Sequence, residues 1–260
     1  MRYKTVKSLD DITNLVATLD TGDIIVTSTD KCTSFNGFVI QTFCHDMWTH
    51  SGMVVTFPET GIKYLWESVN QSGTKVKQID PITLTSGTSS GVRLISLESF
   101  LKDGFTFLKR QQNARGSKLG VLYLNRSNTA VSDFTAKILQ FAQTPSLHNT
   151  PYPPTYQPLI ESWWDGWPSL FTLCGCYTTF EVEEMNLQGH HSQQHDEKSH
   201  ATLFCSQLVV ATLAHTGWFS TKIPCYEWTV SDISLPANLN KNLRAPLSYN
   251  SSVTVYIFSA

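Results

Sequence analysis

A cysteine and a histidine occupy positions in the chain where they could work as a nucleophile and its base. Cys205 opens the apolar stretch CSQLVVATL, which predicts a short helix. The N-terminal end of a helix carries roughly half a positive charge, which favours a thiolate over a thiol. His50 begins the β-forming stretch HSGMVVT, where Ser51 and Gly52 are small enough for a helix end to approach. We therefore expect Cys205 and His50 to form a nucleophile–base pair.

A third residue could orient the histidine. Glu67 lies in GIKYLWESV, a β-forming stretch that follows the strand of His50 after a tight turn, so the two strands are predicted to form a hairpin. The carboxylate of Glu67 could accept the second ring proton of His50 and fix its tautomer. From the residues alone, Ser68 or a backbone carbonyl could orient His50 equally well. A buried structural cysteine and an unrelated histidine would also fit the pattern.

A metal site is the next candidate. Cys174 and Cys176 precede a polar stretch that contains four histidines: His190, His191, His195 and His200. A C-x-C pair with loosely spaced histidines is not a standard zinc pattern, so we expect neither a metal ion nor a cofactor. The histidine-rich stretch is interpreted as an exposed loop.

Aromatic residues are concentrated in a proline-rich stretch, residues 145–168, ahead of the cysteine. Tyr152, Trp163 and Trp164 could line an apolar groove that binds substrate. The two tryptophans, together with Trp167, could equally pin this stretch to the body of the protein. We expect a loop here, because such loops commonly flank sites.

The composition disfavours several classes of protein. A formal net charge of -2 gives no electrostatic basis for binding nucleic acid. No apolar run approaches the ~20 residues that a transmembrane helix requires. Acidic and polar residues interrupt the first 20 positions, so we expect an amphipathic helix there and not a signal peptide. With six cysteines and no secretion signal, free thiols and a cytoplasmic or intracellular location are expected.

The predicted elements that would position these residues include both strands and helices. Strands are predicted at 23–27, 49–56, 61–69, 74–77, 92–95, 119–124 and 253–257, and helices at 9–19, 132–141 and 201–213. The first half of the chain therefore predicts a meandering antiparallel sheet. With 260 residues, the chain is expected to form one α+β domain, residues 1–260, with a probable insertion at about 165–202.

Four stretches carry a family resemblance: GDIIVTST at 22–29, THSGMVV at 49–55, YLWES at 64–68 and FCSQLVVATL at 204–213. They resemble motifs of the circularly permuted, NlpC-type papain-like cysteine hydrolases, the YiiX-like group. In that family a Gly-Asp motif opens the first strand, and a histidine followed by a small residue and glycine begins the next. An acidic residue follows on the adjacent strand, and the cysteine comes last, at the start of a helix. The resemblance covers about 22–160 and 203–258.

The resemblance implies a permuted papain-like fold, an antiparallel β-sheet or barrel packed against helices, with the nucleophile at the N-terminus of a C-terminal helix. Cys205, His50 and Glu67 would be nucleophile, base and orienter, since roles and geometry define such a triad, not chain order. The expected reaction is hydrolysis of an amide, isopeptide or ester bond through a thioacyl-enzyme. A peptide, peptide-like or lipid acyl substrate is implied. An acyltransferase or lipid acyl hydrolase of the same fold is an alternative, as is a non-catalytic structural or interaction protein.

Overall fold

A mixed β-sheet runs through the protein, and helices pack on both of its faces. The structure is a computed structural model that describes residues 1–28, 48–69, 79–84, 91–110, 118–152, 203–222, 225 and 228–258. The strands are β1 (Arg2–Val6), β2 (Ile24–Ser28), β3 (His50–Thr56), β4 (Lys63–Val69), β5 (Gly91–Ser96), β6 (Lys118–Leu122) and β7 (Thr254–Phe258). The helices are α1 (Leu9–Thr18), α2 (Leu97–Arg110), α3 (Ala130–Ala142), α4 (Cys205–His215), α5 (Val230–Ser234) and α6 (Pro236–Asn242), with a 3₁₀ turn at Pro145–Leu147.

The seven strands lie in the order β1-β7-β6-β2-β3-β4-β5. Strands β1 and β7 pair in parallel, and every other neighbouring pair is antiparallel. Within the described ranges the sheet is open, so the barrel expected as one alternative is wrong. The outer edge of β5 is occupied instead. The N–H of Val92 donates to the carbonyl of Thr150 at 2.9 Å, and the N–H of Asn149 donates to the carbonyl of Val92 at 2.8 Å.

The hydrophobic core has two parts, because successive side chains of a strand point to opposite faces of a sheet. One face packs against α1 and α2 through strand residues that include Ile25, Val54 and Leu65. The other face packs against α3 and α4 through strand residues that include Ile24, Met53 and Trp66. Every β-strand prediction that falls in the described part of the chain is met within two residues. The mixed α+β architecture is therefore confirmed.

The helix predictions are met less closely. Helix α3 begins at Ala130, so Ser132 and Asp133 do not cap it. Helix α4 begins at Cys205, so its predicted start is wrong at Leu203 and Phe204, which are not helical, while residues 201–202 lie outside the described residues. Helices α2, α5 and α6 were not predicted. Strand β1 was not predicted either, because it is polar and exposed along most of its length. The strand expected at 74–77 and the insertion at about 165–202 lie outside the described residues.

Candidate active site

The sheet divides between β3 and β4 at the end where β3 begins. Pairing of β3 with β4 extends only to Gly52 and Glu67. Beyond that point β3 remains paired with β2 as far as His50, while β4 remains paired with β5 as far as Val69. The two strand ends therefore separate, and we call this separation, between residues 50–51 and 68–69, the fork.

Helix α4 begins in the fork. On the β4 branch, the hydroxyl of Ser68 donates to the carbonyl of Leu203 at 2.5 Å. On the β3 branch, the backbone N–H of Ser51 hydrogen-bonds to the Cys205 sulfur. The N–H of Phe204 donates to the side-chain oxygen of Gln207 at 3.0 Å, which caps the helix. These contacts fix Cys205 at the first helical position, where the backbone N–H has no intrahelical acceptor.

The fork explains how residues from opposite faces of the sheet meet. By strand alternation Ser51 lies on the face that packs against α4, as Met53 does, whereas His50 and Glu67 alternate with the opposite set. An unbroken β3–β4 ladder would separate Cys205 from His50. Because the ladder stops at Gly52, the start of α4 can reach the histidine through the gap.

Cys205 is buried, with 4% of its surface exposed. Burial raises the pKa of its thiol, but the hydrogen bond and positive charge of His50 lower it, and the Ser51 amide and hydroxyl lower it further. The lowering effects prevail, so the pKa of the Cys205 thiol lies below its ordinary value. The start of the helix adds to this effect. Cys205 therefore has the surroundings of a thiolate.

His50 links the cysteine to a carboxylate. Its Nε2 lies 2.7 Å from Oε2 of Glu67, which leaves Nδ1 as the nitrogen for the Cys205 sulfur. Burial lowers the pKa of His50, but the hydrogen bonds and negative charges of Cys205 and Glu67 outweigh burial and raise it well above its ordinary value. Each of these two shifts favours the charged form, a thiolate on Cys205 and an imidazolium on His50. The structure brings together the three residues expected to form the triad.

A fourth residue, Arg93, completes the group. It lies directly opposite Glu67 in the β4–β5 register, and its Nε and Nη2 donate to Oε1 of Glu67 at 3.0 and 2.7 Å. Burial raises the pKa of Glu67, yet His50 and Arg93 together lower it below its ordinary value. The sequence interpretation missed Arg93. Both strands were predicted, but the register that places Arg93 opposite Glu67 is set by packing of the folded sheet, so no signal within either stretch identified it.

Ser51 and Gly52 do not share the role expected of them. The Ser51 hydroxyl is buried and has no nitrogen or oxygen partner in the described part of the protein, and it lies close enough to the Cys205 thiol to lower the pKa of that thiol. A Cβ on Gly52 would lie 2.7 Å from Cδ1 of Leu65 and 3.0 Å from the carbonyl of Trp66. Gly52 therefore allows β3 and β4 to pack closely, and only Ser51 faces the helix start.

Of the aromatic residues expected to bind substrate, Tyr152 lies near the site. Its ring meets the ring of Phe204 edge-on, with centroids 5.1 Å apart, so it stands next to the residue that precedes Cys205. Trp163 and Trp164 lie outside the described residues, as do Cys174, Cys176 and the four histidines considered for zinc. Within the ranges that the structure describes, no cluster of three histidine, cysteine or acidic residues could hold a metal ion.

A second buried histidine–carboxylate pair, which the sequence interpretation missed, lies beside β5. Nδ1 of His148 is 2.7 Å from Oδ2 of Asp80, and its Nε2 is 2.8 Å from the carbonyl oxygen of Ala142. Burial raises the pKa of Asp80, but the hydrogen bond from His148 and three backbone amides lower it to about 2. One of these amides belongs to Leu94 on β5. This pair ties the segment after α3 to the sheet.

Two comparisons with known proteins give no match. A scan against models of protein families finds no match, and a search of curated proteins finds none either. None of the helices among the described residues is long and apolar enough to cross a membrane. The chemistry of the site must therefore be inferred from its geometry.

Proposed function

We propose that the protein is a cysteine hydrolase that cleaves an amide, isopeptide or ester bond through a thioacyl intermediate on Cys205. His50 would be the acid and base, and Glu67 would orient it. The observation that carries the proposal is the hydrogen-bonded chain from Cys205 through His50 to Glu67, at the first residue of a helix. The resemblance to permuted NlpC-type papain-like hydrolases assigns the same roles to the same residues.

In the first half of the reaction, the Cys205 thiolate attacks the carbonyl carbon of the substrate. The carbonyl oxygen becomes an oxyanion, and the backbone N–H of Cys205, which has no acceptor within its own helix, would stabilise it. The tetrahedral intermediate then collapses, and the bond to the leaving nitrogen or oxygen breaks. His50 gives its Nδ1 proton to that leaving group, so an amine or alcohol departs and a thioester remains.

In the second half, neutral His50 accepts a proton from a water molecule, which attacks the thioester carbon. The carbon–sulfur bond breaks, a carboxylic acid leaves, and the thiolate–imidazolium pair is restored. Throughout both halves of the reaction, Nε2–H of His50 donates to Oε2 of Glu67, with the two heavy atoms 2.7 Å apart. Nδ1 is therefore the nitrogen that exchanges protons. Glu67 thereby orients the ring without itself transferring a proton.

The energetics of the site favour a catalytic over a purely structural role. Buried charges are costly to desolvate, and replacing a buried ion pair by apolar residues is often neutral or stabilising. A structural protein would gain nothing from a thiolate, whereas a nucleophile requires one. The charges on Cys205, His50 and Glu67 thus have a chemical use in a hydrolase that they lack in a scaffold.

The first test measures the reactivity of the thiol. The full-length protein should react with iodoacetamide in a fast phase at pH 6 to 7, and Cys205→Ala should abolish that phase, because only a thiolate alkylates quickly. Cys225→Ala is the matched control. Cys225 is half-buried, and burial raises the pKa of its thiol, so its loss should leave the fast phase intact. An undiminished fast phase in Cys205→Ala would refute the assignment.

The second test follows the acyl group. With p-nitrophenyl acetate, we expect a burst of p-nitrophenol and a transient acetyl group on Cys205, seen by mass spectrometry, that is lost to water. Cys205→Ala should give neither signal. Transfer of the acetyl group to an added amine in preference to water would indicate an acyltransferase. A permanent acetyl adduct on the wild-type protein would contradict turnover of either kind.

A further inference from the structure

We propose that Arg93 is a positioning residue of this site: it holds Glu67 as a carboxylate with one oxygen directed at His50, and so maintains the cation that pairs with the Cys205 thiolate. The inference rests on the proposed function and extends it to a residue that does not touch the thiol. Strand β5 would thus contribute a residue to the chemistry of the site in addition to pairing with β4.

The geometry divides the two oxygens of Glu67 between two partners. Oε1 accepts two hydrogen bonds from Arg93, and Oε2 lies 2.7 Å from Nε2 of His50. Two donors of one planar guanidinium on a single oxygen restrict rotation of the carboxylate. Since Glu67 and Arg93 are 1% and 5% exposed, water has little access to replace either bond. Arg93 therefore determines where the second oxygen points.

In the charge state that the proposed function requires, the four side chains form a row of alternating charge: thiolate, imidazolium, carboxylate and guanidinium. Without Arg93, the buried carboxylate would face a single cation, and burial favours its protonated form. The proton nearest to Glu67 is the one on Nε2 of His50. If the carboxylate took this proton, His50 would become neutral and the thiolate would lose its counter-charge. Arg93 opposes that transfer because it stabilises the carboxylate.

Other charged groups near this row are few in the described part of the chain. Helix α2 packs against β4 and β5, and those of its charged side chains that the structure describes are Glu98, Lys102 and Asp103. Glu98 and Lys102 bond to each other at 2.7 Å and are partly exposed, and Asp103 is exposed. Helix α4 contributes Cys205 itself, and β3 contributes His50. Solvent screens the charges of α2, so among the described side chains Arg93 is the principal cation that acts on Glu67 besides the histidine.

A purely structural cross-strand pair would behave differently. If Arg93 served only to join β4 to β5, its replacement would lower stability and leave the pH dependence of the thiol unchanged. If it acts through Glu67, its replacement moves the pH profile of Cys205 even in a folded protein. The pH profile of alkylation therefore separates the two roles.

The experiment compares iodoacetamide rates from pH 4 to 10 for the full-length wild type, Arg93→Met and Arg93→Lys. In Arg93→Met we expect the pH midpoint of the alkylation rate to rise toward the ~8.5 of an ordinary thiol. The rate at pH 6 should fall by about 10-fold or by a larger factor. Arg93→Lys should recover part of the shift, since one ammonium keeps the charge but not the paired donors. A folded Arg93→Met with the wild-type profile overturns the proposal. If Arg93→Met does not fold, an Arg93→Lys profile identical to wild type overturns it.

A double-mutant cycle tests whether Arg93 acts on the pH profile of Cys205 through Glu67. In a Glu67→Gln background, Arg93→Met should change the midpoint little further, because the carboxylate through which arginine acts is already absent. Additive shifts would contradict action through Glu67. Failure of the proposed function looks different: fast labelling would then persist in Cys205→Ala, whatever the behaviour of the Arg93 variants.

Discussion

Two buried pairs of histidine and carboxylate in this protein share the same bond and differ in their surroundings. His50 meets Glu67, and His148 meets Asp80, each at 2.7 Å. The second ring nitrogen of His148 bonds to the carbonyl of Ala142, and no part of its side chain is exposed. The second nitrogen of His50 is directed to the Cys205 thiol, and 20% of its side chain is exposed.

A hydrogen bond to a carboxylate is therefore not sufficient for a histidine to act as a catalytic base. Both rings are oriented by a carboxylate, but His148 has both nitrogens occupied by groups that hold the fold together. His50 keeps one nitrogen for a group that can change its charge. The partner of the second nitrogen therefore separates a catalytic candidate from a structural one. Substitutions of His148, His50, Asp80 and Ser51 test that separation.

His148→Leu should have the largest effect on stability. It leaves the Asp80 carboxylate and the Ala142 carbonyl buried without their partner, and breaking a buried pair costs about 3–5 kcal/mol. Urea unfolding measures this loss. His50→Gln should cost clearly less, because Arg93 still neutralises Glu67. Equal losses in the two variants would contradict the distinction between the pairs.

His50→Gln should have the largest effect on the thiol. Without the imidazolium, the Cys205 pKa should return toward ~8.5, and the alkylation rate at pH 6 should fall on the order of 100-fold. His148→Gln is the matched control, and its rate should stay within about twofold of wild type in folded protein, since that ring contacts no part of the triad. A similar fall in both variants would show that the rate reports folding and not the site.

Asp80 should make the free energy of unfolding decrease at acidic pH. Its pKa is lowered from an ordinary 3.8 to about 2 in the folded protein, so its contribution is present above about pH 4 and is lost as pH falls through 2. The difference corresponds to about 2 kcal/mol. Unfolding free energies in urea at pH 5 and pH 2.5 measure the loss. Asp80→Asn should remove this part of the pH dependence, and an unchanged acid slope in that variant would contradict the assignment.

Ser51→Ala should have the smallest effect of the four. Only the hydroxyl is removed, while the backbone N–H that bonds to the sulfur remains. A hydrogen bond typically contributes about 0.5–1.5 kcal/mol, so we expect the rate at pH 6 to fall about threefold to tenfold. Ser68→Ala is the control, since its hydroxyl bonds to the Leu203 carbonyl and should affect stability more than the alkylation midpoint. A wild-type profile in Ser51→Ala would show that the hydroxyl does not act on the thiol.

Much of the local structure could be predicted because its signals lie within short stretches of chain. The alternation of residue types in the strand of His50, the turn before β4 and the apolar run after Cys205 all act between near neighbours. One failed prediction concerns a side chain whose partner lies far away in the chain. Asp133 was expected to cap α3, but the helix starts at Ala130 and Asp133 lies inside its first turn, bonded to the ring nitrogen of Trp218 at 2.7 Å.

The residues that the sequence interpretation missed depend on partners far away in the chain. Arg93 matters because strand pairing places it opposite Glu67, 26 positions earlier. His148 matters because it meets Asp80 across 68 positions. No periodicity within either segment records such a pairing, since the register of two strands and the path of a loop are set by packing of the whole chain. Composition could not distinguish these residues from ordinary charged or polar ones.

The amino-acid sequence determined the candidates themselves: a cysteine at a helix start, a histidine at a strand start and an acid on the next strand. Each follows from residue types and spacing, which set local backbone preferences. How these three residues come into contact depends on the tertiary structure. The β3–β4 ladder ends at Gly52, and α4 begins in the opening. Because a strand directs alternate side chains to opposite faces, Cys205 and His50 could not have been brought together without that break.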